Sequence, residues 1–252
     1  MLEKDYYVVL LLKELAVMQS EGLKAYFKGG TALYKALKTT NRFSEDIDLS
    51  VDTRDLSRTQ NDKQLEKATK KYSSLERLPE EGKTNRSEVI AVYRFSVKTI
   101  TLERIFIDKL FAAEAYVRKS DEPHRAFEAA KHIYDLSVMS SHPQITALYA
   151  DEAEMQRLLQ IRLTEEQSRL DGVPNLLPKD FIFFDTVKDN TKVRQAYEIM
   201  QRQYVFRECD RIPFDTATAA LNDIYGKLVQ NKAWQIAEIT VKPPKAKDRD
   251  AC

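Results

Sequence analysis

The segment of residues 24–52 constrains the fold more than any other part of this sequence. It contains a glycine pair, Gly29 and Gly30, that follows the apolar pair Tyr26–Phe27 and precedes residues 32–38. The apolar pair predicts the end of a short strand, and the residues after the glycines predict a helix. A glycine pair between a strand and a helix allows a sharp turn and the close approach of an anion.

The residue after the glycine pair, Thr31, is placed to cap the predicted helix. The helix N-terminus would then present N–H groups and a partial positive charge to a phosphate. A glycine pair before a helix is more often only a turn, so this motif alone does not establish a phosphate site.

Two acids follow in the triplet Asp46-Ile47-Asp48. In a strand, alternate side chains share a face, so Asp46 and Asp48 would point the same way, roughly 7 Å apart at Cα. Ser44 would lie on that face, while Ile47 and Leu49 would face the core. Neighbouring carboxylates repel each other unless a cation lies between them, and such oxygen ligands suit Mg²⁺, which also binds phosphate oxygens. The alternative is an exposed strand edge with two hydrated acids.

The two motifs together predict more than either alone. Gly30 lies 16 residues before Asp46, which is enough for one short helix and a return to the next strand. A phosphate-binding turn and a pair of carboxylates would then face one another. This combination predicts a site for a metal-bound triphosphate.

Composition bounds the remaining possibilities. A chain of 252 residues with 43% hydrophobic and 31% charged residues predicts a globular protein of one large or two small domains. The net charge of +1 means that any nucleic-acid binding must come from a local basic patch. Two cysteines, Cys209 and Cys252, do not form a disulfide framework. The acidic N-terminus lacks a basic leader, and the apolar run 6–12 is too short to span a membrane, so we expect a cytoplasmic protein.

Most of the remaining chain predicts helices, because Leu, Ala, Glu, Lys and Arg are abundant and only six glycines occur. Residues 2–20 predict an amphipathic helix. Its expected buried stripe consists of Tyr7, Leu10, Leu11, Leu15 and Met18. Residues 55–78 predict one or two solvated helices, and the alternative is that their basic residues, which include Lys63 and Lys67, follow RNA phosphates.

Later segments add one strand and several helices. Residues 89–97 are β-branched and aromatic and predict a third strand, with no carboxylate in it and only Glu88 nearby. Thr101 is the expected N-cap of a helix that runs to residue 116. Further helices are expected at 125–136, 145–170, 191–206 and 216–233, with the apolar patch 181–184 docked on the core.

Two blocks of the sequence resemble a known family. Residues Phe27–Leu33, followed by Arg42–Leu49, are similar to the nucleotidyltransferase signature, and more narrowly to the AbiEii/AbiGii toxins of bacterial toxin–antitoxin systems. The resemblance implies an α/β (α+β) fold with a small mixed-sheet nucleotidyltransferase domain at 1–115, flanking helices and a helical C-terminal part at 116–240. Residues 241–252 are polar, and we expect them to form a disordered tail.

The resemblance also implies roles for two residues later in the chain. Lys109 would usually be a surface lysine whose ammonium group reaches water, but the family uses a lysine in this setting on the triphosphate. Asp135 would usually form an exposed ion pair with Lys131, four residues earlier, but the similar family motif places an active-site acid there. A metal or base role for His132 is left open.

The resemblance implies the following chemistry. Asp46 and Asp48 would bind Mg²⁺, or Mn²⁺ in its place, and Lys109 and Asp135 would complete the catalytic set. Contacts to the nucleotide would come from Gly29, Gly30, Thr31, Arg42, Ser44 and Lys109. The substrates would be a nucleoside triphosphate and an RNA acceptor, the 3′ end of a tRNA, and a cognate antitoxin would be the partner. The alternatives are transfer to a protein or small-molecule hydroxyl, and a nucleotide-binding module that has lost catalysis.

Overall fold

A computed structural model describes residues 2–44, 46–52, 56–70, 72, 96–166 and 176–237. The helices in chain order are α1 (Leu2–Ser20), α2 (Gly29–Thr31), α3 (Arg58–Lys70), α4 (Leu102–Arg118), α5 (Pro123–Met139), α6 (Pro143–Ala150), α7 (Glu152–Glu166), α8 (Phe183–Thr186), α9 (Thr191–Tyr204), α10 (Phe214–Leu228) and α11 (Lys232–Ile236). The strands are β1 (Ala25–Lys28) and β2 (Asp48–Val51). The predicted combination of a small sheet with many helices is confirmed.

The chain divides into two compact units. The first unit consists of Met1–Ile105 and Glu198–Arg211, and the second consists of Phe106–Tyr197 and Ile212–Cys252. The domain boundaries expected from the sequence, at residues 115 and 240, stay predictions. The expected tail at 241–252 lies outside the described residues.

The sheet of the first unit is built on β1. This strand pairs antiparallel with β2, so that Phe27 lies opposite Leu49 and Lys28 opposite Asp48. The backbone of Phe27 also bonds Lys98 O at 3.0 Å and the Ile100 N–H at 3.1 Å, which makes a parallel bridge to residue 99. Residues 89–95 of the predicted third strand lie outside the described residues.

The buried stripe of helix α1 differs from the expected one. Leu15 and Met18 are buried as predicted, whereas Val8 and Leu12 occupy the positions expected for Tyr7, Leu10 and Leu11, which are only half-buried. The reason is that residues 6–12 are apolar on every side of the helix, so periodicity cannot select one side there.

The side-chain amide of Gln19 fixes the end of α1 to the sheet. Its Nε2 donates to Ala25 O at 2.7 Å and to Lys98 O at 3.0 Å, and its Oε1 accepts from the Lys98 N–H at 2.7 Å. Gln19 is buried, so its polar atoms need partners inside the protein. These bonds connect the end of α1 to residue 98 and to β1, the strand that leads into the glycine turn.

The second unit is helical in its described part. Its core includes the aromatic patch that the sequence predicted, because Phe181, Phe183 and Phe184 are buried, and Phe181 packs edge-on against Trp234 with ring centroids 5.4 Å apart. The buried carboxylate of Glu114 accepts the N–H groups of residues 182 and 183 at 2.9–3.1 Å, at the start of α8. No helix within the described ranges is both long and apolar enough to cross a membrane.

Most helix predictions are confirmed, with shifted ends. Thr101 caps α4 as expected, since its Oγ1 accepts from the Arg104 N–H at 3.3 Å. The segment expected to be helical at 145–170 forms α6 and α7 in its described part, with a break at Asp151, whose Oδ1 accepts from the Glu154 N–H at 2.9 Å. The expected helix at 216–233 likewise ends at Leu228, and α11 follows separately.

Candidate active site

The glycine turn lies against the side chains that the sequence predicted to share its site. Gly29 has a φ of 78°, and a Cβ added there would overlap the Asp48 carboxylate. A Cβ added to Gly30 would lie 2.6 Å from Arg42 Nη2 and 2.9 Å from Ser44 Oγ. A side chain at either position would force these neighbouring side chains to shift. The glycine pair therefore lets an acid, a guanidinium and a hydroxyl pack directly against the backbone of the turn.

Thr31 has a different local role from the predicted one. The helix begins at Gly29, and Thr31 makes no side-chain capping bond. The Thr31 hydroxyl is buried and donates to the carbonyl oxygen of Asp46. The prediction that Thr31 caps the helix is therefore wrong, because the helix begins two residues earlier and Thr31 lies inside it. The bond fixes the backbone of Asp46 to the glycine turn.

The two predicted metal ligands lie at the entry to β2. Asp48 is the first residue of the strand, and Asp46 lies before it, so the strand that was expected to hold both residues begins later. Strand alternation therefore does not position Asp46, which is held through the Thr31 bond to its carbonyl. Both aspartates are exposed. Their carboxylates can therefore reach a ligand from solvent.

The donor set at this turn fits a magnesium-type site. Within the described residues no group of three or more His, Cys, Asp and Glu side chains could hold a metal by itself. Mg²⁺ is usually bound by one or two carboxylates, together with waters and substrate phosphates. Asp46 and Asp48 supply two such carboxylates, and the absence of a Cβ at Gly29 lets the Asp48 carboxylate lie against the glycine turn.

A distant segment of the first unit holds the loop that carries Arg42. Arg42 forms an antiparallel bridge with Val205, and the Phe43 N–H donates to Tyr204 O at 2.8 Å. The buried Arg42 side chain donates from Nη1 to Phe43 O at 3.0 Å. The end of α9 therefore helps to set the position of the guanidinium beside Gly30. The sequence contains no local pattern that reveals this pairing.

The two residues predicted in the second unit contact each other. Lys109 Nζ, on α4, donates to Asp135 Oδ2, on α5, at 2.6 Å, and the exposed fractions of the two residues are 4% and 0%. The surface position that is usual for such a lysine is therefore not seen. The alternative pair of Asp135 with Lys131 is not seen either, because Lys131 binds Glu128 at 2.6 Å. Asp135 lies on the buried face of α5, where its charge needs a buried partner.

One buried charge in the same unit was missed by the sequence reasoning. Arg162, on α7, is 3% exposed and pairs with Glu166 and, at 3.4 Å, with Asp108. Its guanidinium lies over the Phe111 ring, 5.2 Å from the centroid. A signal was present, because Arg162 occupies a position in the apolar stripe of α7 where a leucine would be expected.

The histidines make contacts that need no metal. The His132 ring stacks on Tyr116 with centroids 5.4 Å apart and an interplanar angle of 10°. His142 Nδ1 accepts from the Gln144 N–H at 3.3 Å at the start of α6. His124 is exposed beside Glu122.

Comparison with known proteins identifies the family of the chain. The model for the family described as "Nucleotidyl transferase AbiEii toxin, Type IV TA system" matches residues 10–94 and 79–220. The chain belongs to this family. It is therefore a member of a family of nucleotidyltransferase toxins from toxin–antitoxin systems, which implies an antitoxin partner. No curated protein and no solved structure matches the chain.

Proposed function

We propose that this AbiEii family member transfers a nucleoside monophosphate from a nucleoside triphosphate to an RNA acceptor, the 3′ end of a tRNA. The observation that carries the proposal is the glycine turn, where Asp48 packs against Gly29, and Arg42 and Ser44 pack against Gly30. Acids that can hold a cation, together with donors that can bind phosphate oxygens, form a site for a metal-bound triphosphate.

Asp46 and Asp48 would hold Mg²⁺, or Mn²⁺ in its place, through their exposed carboxylates. When bound, the ion would supply positive charge that offsets the charge of the nucleotide phosphates. The Gly29–Thr31 backbone can approach a phosphate closely, because the two glycines carry no Cβ. The Ser44 hydroxyl and the Arg42 guanidinium would donate to phosphate oxygens, and the guanidinium is already held by Phe43 O.

Lys109 and Asp135 have proposed roles in the same reaction. Lys109 would offset charge on the triphosphate, and Asp135 would assist a metal or orient the attacking hydroxyl. That hydroxyl attacks the α-phosphorus and loses its proton, and the bond from the α-phosphorus to the bridging oxygen breaks as pyrophosphate leaves. Positioning and charge compensation would account for most of the rate. The family supports these two roles, and their buried contact gives them a defined geometry.

The biological setting is proposed from the family. Modification of the acceptor end of tRNA would stop protein synthesis and arrest growth, and the antitoxin partner would hold this activity in check. We propose the cytoplasm as the location, because the triphosphate and the tRNA are both found there.

A labelling experiment tests the proposed reaction. The full chain is incubated with Mg²⁺, purified tRNA and each α-³²P-labelled nucleoside triphosphate in turn. We expect label on tRNA, and no label when the tRNA 3′-terminal ribose has been oxidised by periodate. Asp48→Asn should abolish transfer. Label on protein with none on tRNA would show a different acceptor class, and nucleotide binding without pyrophosphate release would show a module that has lost catalysis.

A further inference from the structure

The first unit contains a cavity of about 340 Å³ between the end of α1 and helix α3. Leu23 and Leu56 line it on the apolar side. Glu21 and Gly22, after the end of α1, also line it. Four polar residues of α3 complete the lining: Gln60, Lys63, Gln64 and Lys67. The cavity is large enough for one nucleotide-sized group rather than a folded domain, since small-molecule sites start at about 300 Å³.

The polar lining is one stripe of the helix. Residues at i, i+3, i+4 and i+7 share a face of an α-helix, and the lining residues 60, 63, 64 and 67 have this spacing. The acids of α3, Asp62 and Glu66, are exposed and do not line the cavity. The face toward the cavity therefore carries two ammonium groups and two amides, and the acids point elsewhere.

The positive charges of Lys63 and Lys67 are only weakly offset by nearby acids. Lys63 forms no ion pair with any residue that the structure describes. Lys67 has a long contact of 3.8 Å to Glu21 Oε2, and the glutamate side chain is 61% exposed. By contrast, surface lysines such as Lys227 hold their partners at 2.6 Å. With Glu21 also in the lining, two lysines face one carboxylate, so the cavity has a net charge of +1 that an incoming anion can neutralise.

The amide of Gln64 forms part of the same lining. Its Oε1 is buried and has no hydrogen-bond partner among the described residues. A buried acceptor without a donor is unfavourable, so a rotation of the amide that brings Oε1 to a hydroxyl or amine donor in the cavity would be favoured. A ribose hydroxyl is such a donor, and it is the group that distinguishes RNA from DNA.

We propose that this cavity binds the sugar–phosphate backbone of the RNA acceptor, with Lys63 and Lys67 on successive phosphates. The two lysines lie four residues apart, which is about 6 Å along the helix axis and close to the spacing of neighbouring phosphates in a strand. Gln60 and Gln64 bind ribose or base groups, and the leucines contact the apolar face of the nucleotide. This inference rests on the proposed function, because RNA is the acceptor named there.

A charge-matched pair of variants tests the proposal. Lys63→Gln with Lys67→Gln removes two charges from the cavity, and Lys179→Gln with Lys232→Gln removes two exposed charges from the second unit. Binding of fluorescein-labelled tRNA and of an unstructured oligouridylate to each full-length protein is measured by anisotropy at several salt concentrations. Thermal melting and nucleotide binding show that both double variants are folded.

The cavity variant should bind both RNAs more weakly. Its plot of log affinity against log salt should be shallower than that of the wild type by about 2, or about 1 for each lost phosphate contact. In the transfer reaction, KM for tRNA should rise while kcat is unchanged, because the lost contacts are made equally in the ground state and the transition state. The control variant should keep the wild-type slope and KM.

Three results would overturn the proposal: an unchanged slope in the cavity variant, the same loss in the control variant, or competition by poly-L-glutamate as strong as that by RNA. The last result would assign the cavity to an acidic protein. The proposed function fails separately. If RNA binding depends on Lys63 and Lys67 but no label is transferred, the cavity stands and the reaction does not. If label is transferred and the variants bind normally, the reaction stands and the cavity does not.

Discussion

Lys109 Nζ donates a 2.6 Å hydrogen bond to Asp135 Oδ2, and both side chains are buried between α4 and α5. Two opposite charges inside a protein are costly to desolvate, and their attraction repays this cost only with good geometry. Loss of one partner leaves a single buried charge, which is worse than losing both. The pair therefore has a structural consequence as well as a proposed catalytic one, and variants must separate the two.

Lys109→Met alone should lower the free energy of unfolding by about 3–5 kcal/mol, because the Asp135 carboxylate is left without its lysine. Lys109→Met with Asp135→Leu should lower it much less, since an apolar pair replaces the ion pair. Urea denaturation followed by circular dichroism measures both values. If the double variant regains stability but transfers no nucleotide, the pair acts in the reaction. Full activity in that double variant would show a structural role alone.

Asp46→Asn should reduce kcat for nucleotide transfer by at least about 10²–10³-fold, the size of effect seen when one electrostatic contact to a transition state is removed. Adding Asp135→Asn to Asp46→Asn should then cost little more than the worse single change, because residues of one catalytic unit are not additive. Single-turnover assays with labelled triphosphate give the rates. Asp62→Asn, at an exposed acid of α3, is the control. Losses that multiply would contradict a shared catalytic role.

The contacts of the glycine turn could be predicted from the sequence because they are local. A short strand, two glycines, a short helix and a return strand leave few ways to place Asp48 other than beside Gly29. Alternation within β2 was a weaker guide, since it placed Asp46 in a strand that begins only at Asp48. Local spacing predicts that residues meet, but it does not fix where a strand starts.

The long-range pairings could not be predicted in the same way. Spacing of four residues on a helix paired Asp135 with Lys131, whereas the carboxylate faces the core and binds Lys109 on another helix. Arg42 is held by the bridge to Val205, a residue far along the chain. Hydrophobic periodicity marks which face of a helix is buried, but it contains no information on which distant segment covers that face. The family resemblance supplied Lys109 and Asp135, and geometry alone did not.

Three glycine-to-alanine changes should have different outcomes. Gly29→Ala should abolish transfer, because its φ of 78° is unfavourable for alanine and its Cβ would overlap the Asp48 carboxylate. Gly22 also has a positive φ, of 96°, but a Cβ there would have no atom within 4 Å. Gly22→Ala should therefore lower the free energy of unfolding by about 1–2 kcal/mol and keep activity. Gly226→Ala, inside α10 and in open space, should gain about 0.5–1 kcal/mol.

Thermal melting and transfer rates of the three glycine variants check these expectations. Strain is shared by the variants at Gly22 and Gly29, so only the contact with Asp48 separates them. Equal activity of the two variants would show that the close approach of Asp48 to Gly29 is not needed for the reaction. A destabilised Gly226→Ala variant would contradict the open environment seen in α10.

Buried tyrosines in the second unit should make the protein sensitive to alkali. Burial raises the pKa of Tyr149 well above its usual range, and Asp223 raises it further; burial likewise raises the pKa of Tyr197, with Tyr134 adding to the effect. A tyrosine with a raised pKa in the folded state stays neutral at a pH where the unfolded chain already ionises. The free energy of unfolding is therefore unaffected below the unfolded pKa of about 10 and decreases as the pH rises above it. The loss can reach about 1.4 kcal/mol per pH unit for each tyrosine.

Tyr149→Phe should remove the contribution of Tyr149 to the loss of stability at high pH. At neutral pH it should keep or raise stability, because the Tyr149 hydroxyl is buried and has no hydrogen-bond partner within the described residues. The ring contacts with Phe106 and Lys227 are retained in the variant. Urea denaturation between pH 7 and pH 11 measures the slope, with Tyr225→Phe, at a ring that is 38% exposed, as the control. If the free energy of unfolding of Tyr149→Phe falls with pH as steeply as that of the wild type, the Tyr149 hydroxyl ionises at the same pH in the folded and the unfolded protein.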